Sequence, residues 1–364
     1  MKLSARAQRL QPSATLTITA KAKSLRAQGV DVIGFGAGEP DFDSPDHVKQ
    51  DAIRAINDGM TKYTGVGGID ELKDAIIHRL KEDHGLEYEK SEIITSVGAK
   101  HTLYNIMQVL FDKGDEVIVP APYWVSYPEQ IKLAEATPVI IDTNEDQGFK
   151  LTPESLKQNI TANSKALILN YPSNPTGATY NESELRAIID VAMDAGLTII
   201  SDEIYEKIIY GDTKHVPVAA LSDDIKKATI LVNGVSKTYS MTGWRIGYAA
   251  GDKDVISAMS KLQGQSTSNP TSISQYAAIS AFTGDHGVIE DRTKEFEQRK
   301  NYIVEKLNAI PGISCFDPQG AFYVFPNVSG YYGKEYDGKT IENSLDFTEY
   351  ILVEAKVAVV PGVA

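Results

Sequence analysis

The stretch Glu182-Ser-Glu-Leu-Arg-Ala-Ile-Ile-Asp-Val-Ala-Met-Asp-Ala-Gly-Leu-Thr-Ile-Ile-Ser-Asp-Glu-Ile-Tyr205 decides the fold. Its first part puts Leu185, Ile188, Ile189 and Ala192 on one face of a helix over 182–195. Its second part, Leu197–Ser201, is a continuous apolar run ending at an acid, the pattern of a strand covered on both faces. Similar runs are Glu92–Val97, Glu116–Val119, Pro138–Ile141, Lys165–Asn170, Thr229–Asn233 and Arg245–Ala250. Helical patterns such as Lys100–Phe111 lie between many of them. Alternation of this kind predicts an α/β fold: a mostly parallel, seven-stranded sheet with helices on both faces.

After about Asp285 the texture changes. Residues 288–308 form a charged helical stretch, read as a solvated face. Short strand-like pieces at Ile313–Phe316 and Ala321–Phe325 flank the turn Asp317-Pro-Gln-Gly320, and a helix is expected over Ser344–Ala355. A helix between Thr15 and Gln28 would pack on this smaller α+β domain. The expected division is a large domain over 46–285 and a small one from 1–45 and 286–364. The length of 364 residues agrees with about two domains.

Composition narrows the function. The charge sum of 36 basic against 49 acidic residues, or −13, argues against a nucleic-acid-binding surface. The single cysteine, Cys315, excludes an internal disulfide and a multi-thiolate metal site, and fits a cytoplasmic setting. No apolar run reaches the roughly 20 residues needed to span a bilayer, and Met1-Lys-Leu-Ser-Ala-Arg6 opens no signal peptide. The six histidines form no H-E-x-x-H pair, so no metal site is expected. Gly34-Phe-Gly36-Ala-Gly38 lacks the spacing of a dinucleotide loop, and Glu39-Pro40 prevents a helix from starting there.

Ligands of open parallel sheets bind beyond the carboxyl ends of the strands. The residues just past each strand are therefore the informative ones. The rim collects Asp202-Glu-Ile-Tyr205, Asn170 through Asn174-Pro-Thr-Gly177, Gly234-Val-Ser236-Lys237, and Gly98-Ala99-Lys100 at a helix start. A lysine amine, a carboxylate and a helix N-terminus together suit pyridoxal 5'-phosphate, which needs partners for its aldehyde, ring nitrogen and phosphate. Trp124, in Pro122-Tyr-Trp-Val-Ser-Tyr-Pro128, could stack on the ring.

These residues carry a resemblance. Ala37-Gly-Glu-Pro-Asp-Phe42, Tyr63-Thr64 with Gly67-Gly68, Pro122–Pro128, Asn174-Pro-Thr-Gly177, Asp202-Glu-Ile-Tyr205 and Ser236-Lys237 followed by Met241-Thr-Gly-Trp-Arg-Ile-Gly247 stand in one order. In that order they resemble the class I/II aminotransferases of fold type I, in the prokaryotic aspartate aminotransferase subgroup. The resemblance covers essentially the whole chain. It implies that Lys237 binds the cofactor aldehyde and shuttles the substrate proton, that Asp202 pairs with the ring nitrogen, and that Asn174 and Tyr205 bind the ring oxygen. Gly98, Ala99, Lys100, Ser236 and Arg245 would complete the cofactor site, with Tyr63 arriving from the partner of a homodimer. Gly38, Trp124, Asn174, Lys100, Ser13 and Thr15 would meet the substrate. A lysine that acts as nucleophile and base must be neutral, so its pKa should be lowered.

The implied reaction is ping-pong transamination from an L-amino acid, aspartate first and aromatic or other amino acids as alternatives, to 2-oxoglutarate. The resemblance also implies a further strand, a closing helix and a carboxylate-gripping arginine beyond Ala364. Arg292 and Arg299 lie on the charged helix and do not replace it. A polypeptide ending at Ala364 is expected to bind cofactor but to transaminate weakly, which makes a cofactor-binding, weakly active protein the alternative reading.

Overall fold

The computed structural model describes residues 2–10 and 14–363, with only the backbone given for 14–17 and 19. Two compact units emerge. One comprises Met1–Gly38, Gln298–Pro318 and Tyr323–Ala364; the other comprises Glu39–Glu297 with Gln319–Phe322.

The larger unit holds the seven-stranded sheet: β1 Ile93–Ser96, β2 Glu116–Ala121, β3 Thr137–Asp142, β4 Ser164–Asn170, β5 Thr198–Asp202, β6 Thr229–Gly234 and β7 Gly247–Ala250. Their order is β1-β7-β6-β5-β4-β2-β3. All pairings are parallel except the two made by β7. Each strand run splits by alternate residues between the two faces. Ile118, Leu167, Leu169 and Ile199 pack with Leu185, Ile188, Ile189 and Ala192 of the Glu182–Asp194 helix. Val117, Val119, Ala166, Ile168 and Ile200 pack with Leu103, Ile106 and Met107 of the Ala99–Leu110 helix. Both faces are therefore dry over the inner strands, which is why these read as continuous apolar runs, while the edge strand β3 stays partly exposed.

Register positions the rim. Asn170 sits beside Asp202 across β4 and β5, and Asp202 sits beside Val232 of β6. The Arg245–Ala250 run begins as strand only at Gly247, because Arg245 adopts a left-handed backbone with φ 57°.

In the smaller unit, Ile33–Gly34 pairs in parallel with Val357–Ala358. Ile18 and Ala22 of the Ala14–Ala27 helix pack with Val32, Leu352 and Ala358. Ser314–Cys315 pairs with Pro326–Asn327, and the expected strand-like Ala321–Phe325 forms no strand. Ala321 has φ 57°, which ends any extended run, and its carbonyl accepts the Tyr210 hydroxyl. Among the described residues, no helix is long and apolar enough to cross a membrane.

A buried charge cluster lies beneath the rim. His84 Nε2 is 2.7 Å from Glu206 Oε2, His215 Nε2 is 2.8 Å from Glu203 Oε2, and the two imidazoles lie 5.9 Å apart. Asp83 pairs with Arg79 and with Lys207 Nζ at 2.9 Å. Burial alone would raise the Glu206 pKa, but the His84 hydrogen bond and charge, with Lys207 and His215, outweigh it and bring it to about 2. Burial alone would lower His84, but Glu206 and Glu203 hold it above 6.5.

A depressed carboxylate stabilises the fold above its unfolded value of 4.5 and loses that contribution as pH falls toward 2. A raised imidazole stabilises it below 6.5 and loses that as pH rises through the folded value. The pair therefore contributes most between pH 4.5 and 6.5. Replacing Glu206→Gln leaves a buried imidazolium without its partner. It should lower stability near mid-window by roughly 3–5 kcal/mol and flatten the acid limb in urea unfolding. An acid limb unchanged from wild type would contradict this pairing.

Candidate active site

The site grows from the end of β1. Gly98 has φ 83° and precedes the Ala99–Leu110 helix, with no side chain capping it. The first N–H groups of that helix lack intrahelical partners and point at whatever lies beyond. Arg245 lies against them: its Nη1 donates to Thr242 O at 2.8 Å and its Nη2 to Val97 O at 3.3 Å. A Cβ on Gly98 would collide with this guanidinium, and a Cβ on Gly247 would collide with the Gly98–Ala99 backbone. Two glycines thus let helix end and arginine close on one spot. Lys100 adds a third positive group, with Nζ 4.8 Å from the Trp124 ring centre.

β4 and β5 supply the acid. Asp202 is 4% exposed. Its Oδ2 accepts the Tyr127 hydroxyl at 2.6 Å and its Oδ1 the Ile204 N–H at 3.3 Å. Asn170 ties the neighbourhood together: Nδ2 donates to Asp202 O at 3.0 Å, and Oδ1 accepts the Asn174 N–H at 2.8 Å. Burial raises Asp202; the Tyr127 and Ile204 hydrogen bonds oppose that, Glu203 adds to it and Lys237 opposes it, leaving a value of about 6.

β6 runs through buried Ser236 to Lys237. The Lys237 Nζ lies 5.9 Å from the Tyr205 ring centre and 5.6 Å from that of Phe322, and those two rings meet edge to face. Burial among these rings lowers the amine. Glu39 and Asp202 oppose this, while Arg245 and Lys100 reinforce it, and the result is about 8. Lys100 is also lowered, by burial and by Arg245.

The structure therefore brings Gly98, Ala99, Lys100, Trp124, Asn174, Asp202, Tyr205, Ser236, Lys237 and Arg245 to one rim of the larger unit. Tyr63 is 91% exposed and makes no hydrogen bond, ion pair or ring contact with the described residues. Gly38 belongs to the smaller unit, where a Cβ would meet the Tyr323 hydroxyl at 3.2 Å. Ser13 and the Thr15 side chain lie outside the described residues. Arg292 donates to Ser240 Oγ at 3.0 Å and to Asp43 O at 2.6 Å.

Sequence reasoning gave no role to Tyr127, Asn170, Phe322 or Glu39, whose Oε2 accepts the Thr242 hydroxyl at 2.7 Å. Asn170, Glu39 and Tyr127 stood within the quoted rim segments and motifs, but nothing in the local pattern singled them out.

The donor set fits pyridoxal phosphate. Arg245 and an uncapped helix end answer a phosphate, a depressed lysine answers an aldehyde, and a buried carboxylate answers a protonated ring nitrogen. Fold and site together define a pyridoxal-phosphate-dependent enzyme of the α/β type. The family of class I and II aminotransferases matches residues 30–364, and the chain belongs to that family.

It is 55% identical to an aspartate aminotransferase of Geobacillus stearothermophilus and 52% identical to one of Bacillus subtilis (strain 168). Each match covers 100% of this chain and 91% of the relative. The solved aspartate aminotransferase of Rhizobium meliloti superposes with a TM-score of 0.96 at 44% identity, over 100% of this chain and 91% of that one. The chain is an aminotransferase that uses pyridoxal 5'-phosphate.

An amine with a pKa of about 8 should stand apart from surface lysines. In the chain without cofactor, reductive methylation of Lys237, followed by peptide mass spectrometry, should reach its midpoint near pH 8. A midpoint near the ordinary 10.5 would contradict a desolvated amine beside Arg245 and Lys100.

Proposed function

We propose that the chain moves the amino group of L-aspartate to 2-oxoglutarate in a ping-pong cycle, with Lys237 as cofactor anchor and proton carrier. The observation that carries this reading is a depressed lysine amine on the same rim as a buried carboxylate and an arginine-backed helix end. The named relatives support aspartate as donor.

When bound, pyridoxal phosphate supplies a sink for the electron pair released as the substrate Cα–H bond breaks. The protein's residues do the rest. Arg245 and the Gly98–Lys100 turn would hold the phosphate. Asp202 would keep a proton on the ring nitrogen, and Asn174 and Tyr205 would hydrogen-bond the ring oxygen. Lys237 Nζ takes the Cα proton and returns it, a task for which a pKa lowered to about 8 makes the neutral amine far more available near neutral pH than at an ordinary lysine. Trp124 and Gly38 line the substrate, and Asn174 touches its α-carboxylate. Lys100, beside Trp124, reads the distal carboxylate of aspartate, together with Ser13 and Thr15.

Exposed Tyr63 fits a homodimer in which it completes the partner's phosphate site. The larger domain is assigned to 46–285 and the smaller to 1–45 with 286–364. The setting is cytoplasmic.

Single-turnover mixing of the cofactor-loaded chain with an amino-acid panel tests the reading. Aspartate and glutamate should convert the bound cofactor to its aminated form faster than tyrosine or alanine. Asp202→Asn should slow that conversion by roughly 100-fold or more. Equal rates across the panel would refute the dicarboxylate assignment, and a near-normal rate in the variant would refute the role of Asp202.

A further inference from the structure

We propose that Tyr127 is the positioning residue that keeps the Asp202 carboxylate ionised and in one orientation, ready for a cationic ring nitrogen. The proposal rests on the assignment of Asp202 to that nitrogen. Tyr127 sits in the first turn of the Ser126–Leu133 helix and is 2% exposed. Its hydroxyl meets Asp202 Oδ2 at 2.6 Å, a short bond typical of a hydroxyl donating to a charged oxygen.

The tyrosine ring packs edge to face with Trp124 at 5.3 Å, and its helix is tied down by Gln130, which donates to Lys100 O at 3.0 Å. Asp202 is thus clamped from two directions, by Tyr127 on one oxygen and by the Ile204 N–H on the other.

The clamp works against the surroundings. Burial and the Glu203 charge both favour a neutral carboxylic acid at 202, and Lys237 is the cation that opposes them. A neutral acid could not hold a protonated ring nitrogen. The Tyr127 hydroxyl is the stronger of the two hydrogen bonds that favour the carboxylate. Tyr127 itself does not ionise, since burial and the Asp202 charge push its pKa far up. It therefore keeps a proton to donate whenever Asp202 is ionised.

The test compares the full chain with Tyr127→Phe, which removes one oxygen and keeps the ring. Each protein is titrated with pyridoxal phosphate and with its carbocyclic analogue, in which a CH replaces the ring nitrogen, over a pH series from mildly acid to mildly alkaline. Relative to wild type, the variant should bind pyridoxal phosphate about five- to tenfold more weakly near pH 6, from a shift of about one pKa unit in Asp202. The deficit should shrink to under about twofold two pH units higher, where Asp202 is ionised in both proteins. With the analogue, the two proteins should bind alike at every pH.

A deficit that is the same at all pH values, or the same for the analogue, would make Tyr127 a packing residue and overturn the proposal. Wild-type protein that binds the analogue as tightly as the cofactor would instead remove the role of Asp202, and the proposal with it. A second readout needs no variant. In wild type the Tyr127 hydroxyl proton should give a downfield NMR resonance that titrates with Asp202 near pH 6. A resonance that does not move through that range would contradict the pairing.

Discussion

Keeping a carboxylate charged in the interior while easing the proton off a nearby amine is the constraint on which this site depends. Burial alone works on both groups in the same way, toward neutrality. For Lys237 that is the wanted result, and Arg245 and Lys100 add to it. For Asp202 it is the unwanted one, and two hydrogen bonds hold it back. One desolvated rim thus tunes a base and preserves an anion, because two donors face the anion.

The scaffold serves this division. The β4–β5 register sets Asn170 beside Asp202, and that asparagine links the acid's backbone to Asn174. β6 runs in the same direction and continues to Lys237. Antiparallel β7 returns with Arg245 just before it, so the arginine reaches the helix start that comes after β1. The His84–Glu206 pair ties the end of the Asp70–His84 helix to the residues just past Asp202, and His215 pairs with Glu203 beside it. The carboxylates in those pairs carry imidazole partners of their own, whereas the hydrogen bonds to the Asp202 carboxylate come from the Tyr127 hydroxyl and the Ile204 N–H.

Much of this was legible in the chain. Strands buried on both faces announce themselves as unbroken apolar runs, and the half-exposed edge strand Thr137–Asp142 shares that pattern, so all seven could be read to within a few residues. Residues just past the strand ends were legible for the same reason, since topology sends them to one rim. Tyr127 was not, because its partner is 75 residues away and a tyrosine in a helix reads as packing. Nor were His84 and His215, scattered in sequence yet close to each other in space. The Ala321–Phe325 run misled because its aromatic and apolar residues have strand propensity, while a left-handed Ala321 turns the chain away. Ring contacts there go to Tyr205 and Phe296 instead of a neighbouring strand. Long-range pairing and positive φ are tertiary properties that local pattern does not encode.

The central claim is that one lysine, Lys237, carries the cofactor. Borohydride reduction of the cofactor-loaded chain, with peptide mapping of the product, tests it most directly. The account predicts the reduced pyridoxyl group on the peptide bearing Lys237 and essentially none elsewhere. A dominant adduct on Lys100, or on any other lysine, would contradict it.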